Sequence, residues 1–332
     1  MMTKPASVSL SLILALGLVA CGGGGDDSPT VETASYLPDQ AELGAWNVLQ
    51  EARTLCGFGA LTPNAKLNVA AWSHSKYLVD LSIATGVYQL SHLETPGVPG
   101  FTGVYPWDRA EYREYNYLGL AEILEATERE YTHQPIFPTM EERGANSMRS
   151  LLNTVYHLSG AMFEGSDVGL GAYIATSKIN ATTWREEYRF GSLFGYTSPH
   201  QRIALGIGNV ATYPCQGSSN IPTKFVPVYE SPNPFPDMTS TSETVGPPIY
   251  LKVDAEQTLT LTFNSVVSEY GVSVPTTVLT AREPRIDPYI SDNEVFVVPT
   301  VPLDPYTTYQ VTLYGSIDGM AFTRSFAMST GS

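Results

Sequence analysis

Ser91-His92-Leu93-Glu94-Thr95-Pro96-Gly97-Val98-Pro99-Gly100-Phe101-Thr102-Gly103 sets an imidazole and a carboxylate two positions apart in a frame of glycines and prolines. No regular helix survives that punctuation, so the stretch reads as a shaped loop. It carries groups able to bind a metal or move a proton, and Asp108-Arg109 follow closely. Upstream, Asp39 and Glu42 read as a capping pair that opens a helix ending near Leu55. Leu43, Trp46, Leu49, Ala52 and Leu55 repeat at helical spacing. A second helix runs from Pro63-Asn64 to Gly86, with Leu67, Ala70, Ala71, His74, Leu78 and Leu81 inward. His74 thus falls on an apolar stripe and reads as a satisfied core histidine rather than a ligand.

Downstream, the pattern predicts a short helix around Leu120–Glu130 and a longer one over Ala145–Gly160. His157 lies off the inward stripe of the latter, beside Asn153 and Thr154. Strands are expected at Val168–Ala175 and Trp184–Phe194, and Ile203–Tyr213 is expected to complete this part. Helices followed by strands predict an α+β fold rather than a wound parallel sheet.

The ends carry their own signals. Lys4, then the apolar run Val8–Ala20, then Cys21 reads as a lipoprotein signal peptide over residues 1–20. The run is too short to span a bilayer. Acylation at Cys21 would anchor the chain, each buried methylene adding about 0.8 kcal/mol. Residues 21–37, in which Gly22–Gly25 follow Cys21, read as a polar tether. Gly rather than Asp after Cys21 points to the outer membrane, on its periplasmic or cell-surface face.

A net charge of −15 and the absence of any basic patch exclude nucleic acid as a natural partner. Besides Cys21, only Cys56 and Cys215 remain. In an exported chain they are expected to form a disulfide worth about 4–5 kcal/mol in the chain-entropy model. The alternative is two separate buried thiols.

Residues 217–246 are rich in proline and read as a stiff linker. From 247 to 332, short alternating runs predict a β-sandwich: Tyr250–Val253, Leu259–Phe263, Val278–Ala281, Val295–Val298, Tyr309–Leu313 and Phe322–Met328. Leu303-Asp304-Pro305-Tyr306-Thr307-Thr308-Tyr309 resembles the entry motif of bacterial immunoglobulin-like domains. A tyrosine there can bond back across the corner. No chemistry is visible in this part, so it reads as a spacer or adhesive module.

Several motifs together carry a resemblance over residues 38–216. They are Asn47 to Arg53, Cys56-Gly57-Phe58-Gly59-Ala60-Leu61, Leu67 through His74, and the His92 loop. Asp108-Arg109, Tyr156-His157 and Val168-Gly169-Leu170-Gly171 complete the set. These residues resemble the CAP superfamily of cysteine-rich secretory, antigen 5 and pathogenesis-related proteins, in its bacterial secreted branch. The resemblance implies an α-β-α sandwich and a cleft holding two histidines and two acids. His92 matches the first cleft histidine, Glu122 the family acid, and His157 the second histidine. Glu125 and Glu128 are alternatives to Glu122. Leu158 stands where bacterial members often carry Arg, and Glu94 is an additional acid.

Two imidazoles with carboxylates can hold a divalent ion such as Zn²⁺, with His92 and His157 as its ligands. Without metal, a histidine beside a glutamate can act as acid or base. No nucleophile elbow, zincin helix or oxyanion hole is legible. The preferred expectation is therefore a membrane-anchored lipoprotein that binds a ligand or metal in the His/Glu cleft without turnover. A metal-dependent envelope peptidase is the alternative, and lipid or sterol binding a further one. A buried polar network holding loop to helix is the plainest reading of the same residues.

Overall fold

The computed structural model describes residues 2–3, 35–282 and 286–332. The expected signal peptide beyond Thr3, the lipidation site Cys21 and the tether up to residue 34 lie outside the described residues.

The first half is a mixed α+β layer structure. Its sheet has the order β1-β3-β5-β4-β2. The strands are β1 (Met2–Thr3), β2 (Thr62–Pro63), β3 (Gly119–Tyr131), β4 (Asp167–Lys178) and β5 (Trp184–Tyr196). β5 pairs antiparallel with both β3 and β4 along its whole length. Met2–Thr3, expected outside the fold, pair antiparallel with Glu122 and Ala121 on the outer edge of β3.

Helices cover both faces of the sheet. α2 (Ala65–Thr85) lies on β4 and β5, with α3 (Pro106–Tyr112) beside it. Two glycines make that approach possible. A Cβ on Gly169 would sit 2.1 Å from the Leu67 carbonyl carbon, and one on Gly171 2.1 Å from Trp72 N. The Val168-Gly169-Leu170-Gly171 pattern therefore presents bare backbone to α2 on one face. Val168 and Leu170 turn to the opposite face, into the core beneath α1 (Ala41–Leu55), α4 (Met140–Leu152) and α5 (Val155–Ala161). α2 is capped by Asn64, which accepts from Lys66 N and Leu67 N, and stops at left-handed Gly86. Asp39 does not cap α1: Gln40 holds the cap position, and Glu42 accepts from the Ala172 N–H.

Two expected helices are corrected. Residues 119–131 form a strand, not a helix. Leu, Ala and Glu are good helix formers, but propensity is a weak preference that tertiary context overrides, and here both faces of 119–124 are buried, so pairing with β5 decides. The expected helix over 145–160 is two helices, broken at Asn153-Thr154, where Thr154 takes the non-helical cap conformation of α5.

The second half is a β-sandwich with sheets β10-β11-β7-β6 and β13-β12-β8-β9. The first sheet comprises β6 (Ala211–Tyr213), β7 (Ile249–Lys252), β10 (Thr276–Thr280) and β11 (Glu294–Pro299). The second comprises β8 (Leu259–Ser268), β9 (Ser273–Val274), β12 (Thr308–Ile317) and β13 (Met320–Ser329). β6 was expected to complete the first half; instead it pairs with β7. Asp304 N–H donates to the Tyr309 hydroxyl at 2.8 Å, the expected bond across the corner.

β7 and β11 are buried on both faces. Leu251 and Val297 face the second sheet, while Tyr250, Phe296 and Val298 join the core of the first half. Phe58 stacks on Tyr250 at 5.9 Å, and Glu294, which also accepts from the Tyr250 hydroxyl of its own sheet, accepts from the Ser159 hydroxyl across the junction. The stretch 217–246 is no free linker either: Ile221, Phe225, Phe235 and Val245 are buried. The Cys56–Cys215 disulfide ties the end of α1 to the start of that stretch. Among the described residues, no helix is long and apolar enough to cross a membrane.

Candidate functional site

The site is assembled from four places in the chain. His92 comes from the loop between α2 and α3, Glu122 from β3, and His157 from α5. Glu230 follows the 3-10 turn Pro227–Tyr229. His92 and His157 line one cavity of about 840 Å³. It runs along β3 from Leu124 to Glu128, with Tyr229 and Ser231 on the far wall.

Each imidazole is backed by a buried carboxylate. His92 Nδ1 is 2.9 Å from Glu122 Oε1, and His157 Nδ1 is 3.2 Å from Glu230 Oε1. The Thr154 hydroxyl, 3.0 Å from the same His157 nitrogen, adds a second contact there. Both rings are thus gripped at Nδ1, which leaves Nε2 as the nitrogen free for a ligand.

The carboxylates are held in turn. Arg109 donates to both Glu122 oxygens at 2.8 and 2.7 Å and to the His92 carbonyl at 3.0 Å. One buried guanidinium thereby fixes both the loop and its partner acid. Burial alone would raise the Glu122 carboxyl. Arg109, His74 and His92 outweigh that and hold it down at about 2. Glu122 is therefore a fixed anion whose charge Arg109 balances.

Burial pushes the His92 imidazole below its ordinary value, and the Glu122 bond only partly opposes this. His92 at neutral pH is a neutral ring that donates from Nδ1 and offers the Nε2 lone pair. Burial likewise works against ionisation of Glu230, but His157 and the α5 backbone hold it below the ordinary carboxylate range. Glu230 accepts from Val155, Tyr156 and His157 N–H at 2.8, 2.7 and 3.1 Å, so it caps α5 while gripping the ring.

Glu94, expected in the cleft, is placed elsewhere. Its carboxylate is 2% exposed and does not line the cavity. It accepts from Thr102 N at 2.6 Å and lies 2.9 Å from His74 Nδ1. His74 Nε2 meets the Ser91 carbonyl at 2.8 Å. Held at both ring nitrogens, His74 bolts the loop to α2. The expectation that His74 is a satisfied core histidine agrees with this geometry. Asp108, for its part, takes the Tyr105 N–H at the start of α3.

The alternatives to Glu122 do line the cavity. Glu125 and Glu128 are both in its wall. Glu128 faces Arg185 at 3.6 Å. Glu125 has one buried oxygen, Oε2, without a hydrogen-bond partner; burial raises its carboxyl, opposed by Ser147, His157 and Ser150. Glu230 and Tyr229 are not legible as site residues in the sequence, since they stand in a proline-rich stretch that reads as a linker. The one available signal was a glutamate and a tyrosine placed together within it.

The donor set does not fit a preformed divalent-ion site. Glu122 and Glu230 are committed to Arg109 and to the α5 backbone, so of the paired residues only two Nε2 atoms remain, with Glu125 in the wall but not grouped with them. Among the described residues, no group of three or more His, Cys, Asp or Glu side chains is arranged to hold a metal ion. A tetrahedral site needs at least three protein ligands. Chemically, the cavity offers two oriented nitrogen acceptors, one under-bonded acid and a partly apolar wall. Neither a protein-family model nor a curated protein matches the chain.

Proposed function

We propose that residues 38–216 form a CAP-like domain whose two-histidine cavity binds a ligand without turnover. The domain is displayed on an exported lipoprotein anchored through Cys21, and the all-β half is an immunoglobulin-like support. One observation carries the reading: two imidazoles from separate elements line one cavity, each gripped at Nδ1 by a buried carboxylate. Such preorganisation orients a pair of nitrogens for binding. The zinc-dependent peptidase reading is weaker because the third metal ligand and an activated nucleophile are both wanting.

A ligand-observed NMR screen of a fragment library tests the binding reading. Fragments that receive saturation from the wild type should lose it with the His92→Ala, His157→Ala double variant. Hits indifferent to both substitutions would refute it. The anchor is checked separately: radiolabelled palmitate should enter the wild type and not Cys21→Ser, and labelling of both would disprove it.

A further inference from the structure

β3 pairs with β5 along one side over Gly119–Tyr131. On its other side, among the described residues, only Met2–Thr3 pair with it, at Glu122 and Ala121. From Leu124 onward the outer edge carries no neighbouring strand among the described residues, and Leu124–Glu128 form a wall of the two-histidine cavity. An open edge offers a row of backbone donors and acceptors to an extended chain. Met2–Thr3 demonstrate the geometry, because an extended segment already lies on that edge in antiparallel register.

The side chains along the edge select for charge. Glu125 and Glu128 both stand in the wall, and Glu125 keeps an oxygen, Oε2, buried and unpartnered. A buried acceptor without a donor is costly, and a ligand ammonium or guanidinium would relieve it. Beyond Glu125 and Glu128 come Arg129 and Glu130, and Arg185 engages Glu128 at 3.6 Å and Glu130 at 2.7 Å, so the selecting charge is that of Glu125.

We infer that the ligand of this cavity is an extended, basic polypeptide segment that adds as a strand to the outer edge of β3. Its side chains would reach Glu125 on one face, while its passage along the cavity brings it to His92 and His157. This inference rests on the cavity being a binding site and adds the class of ligand.

The probe is a fluorescein-labelled decapeptide of alternating Thr and Lys, titrated against the full chain by fluorescence anisotropy. An alternating Thr–Glu peptide is the charge control. Two N-methylated versions of the Thr–Lys peptide, each methylated at one alternate set of residues, are the backbone controls. A strand points every second N–H at its neighbour. One methylated set should therefore weaken binding by about tenfold or more and the other should not. Amide exchange in residues 124–128 should slow on saturation with the unmodified peptide. Glu125→Gln should weaken the Thr–Lys peptide without lowering the unfolding midpoint.

Equal binding by both methylated peptides, unchanged exchange in β3, or preference for the Thr–Glu peptide would overturn the inference. If the peptide fails while fragments still bind in a His92- and His157-dependent way, the ligand is a small molecule. The strand inference then falls and the binding site stands.

Discussion

Arg109 and Glu122 decide whether the site exists. Arg109 is fully buried, and its guanidinium spans the Glu122 carboxylate and the His92 carbonyl. Glu122→Gln would remove the carboxylate that Arg109 bonds directly and leave it only Glu94 at 3.9 Å, a loss of about 3–5 kcal/mol. Urea unfolding at neutral pH should show that drop, and an unchanged midpoint would mean the pair is not load-sharing. The pH dependence has a definite sign. Glu122 is lowered from 4.5 to about 2 in the fold. Its contribution is complete above about 4.5 and disappears as pH falls toward about 2, where the folded state protonates. His92 acts in the same direction higher up: its folded value lies below 6.5, so acidification below 6.5 favours the unfolded chain. Wild-type stability should thus fall on acidification in both ranges, and Glu122→Gln should lose the lower one.

At this scale the sequence was partly legible. His92 could be named from its glycine-proline loop, and His157 was paired with it by the family resemblance. Glu94 was misplaced because proximity in sequence says nothing of direction: it points inward to His74, while His92, two residues away, points to the cavity. Glu230 was missed because its role depends on a chain reversal that brings residue 230 onto the N-terminus of α5.

At the scale of elements, close backbone approach governs the layers. A Cβ on Gly144 would sit 1.7 Å from the Ala41 carbonyl oxygen, and one on Gly44 1.9 Å from that of Glu141. These glycines are the α1–α4 crossing, and their neighbours there are backbone atoms that cannot swing aside. Gly144→Ala should cost about 3 kcal/mol, the upper end for overpacking, or abolish folding. A denaturation midpoint within error of wild type would show that the helices separate easily. β4 and β5 were legible from their β-branched and aromatic runs. β3 was not, because Leu120-Ala121-Glu122-Ile123-Leu124-Glu125-Ala126 has helix-forming composition and apolar residues on both faces. A strand buried on both faces carries no alternation to read. The break between α4 and α5 was equally hidden, since the Glu230 carboxylate that caps the second helix arrives from far along the chain.

The whole molecule behaves as one packed body rather than two beads on a linker. The core beneath α1, α4 and α5 continues into Tyr250, Leu279, Phe296 and Val298 of the sandwich and takes in Phe225 and Phe235 of the proline-rich stretch. A mostly apolar run such as Val295–Val298 made sense as a sandwich strand. That it is covered on its second face by the helical half could not be seen from either segment alone. The shared core predicts a single cooperative calorimetric transition, with van't Hoff and calorimetric enthalpies that agree. Two resolved transitions would mean that the halves unfold independently.

The central claim concerns the two rings, and imidazole nitrogen NMR tests it most directly. In mildly alkaline buffer, long-range proton–nitrogen spectra should show His92 and His157 both protonated at Nδ1 and bare at Nε2. One bound fragment from the screen should shift both Nε2 signals together. If a ligand moves only one ring, or if either ring carries its proton on Nε2, the shared and oriented pair does not exist.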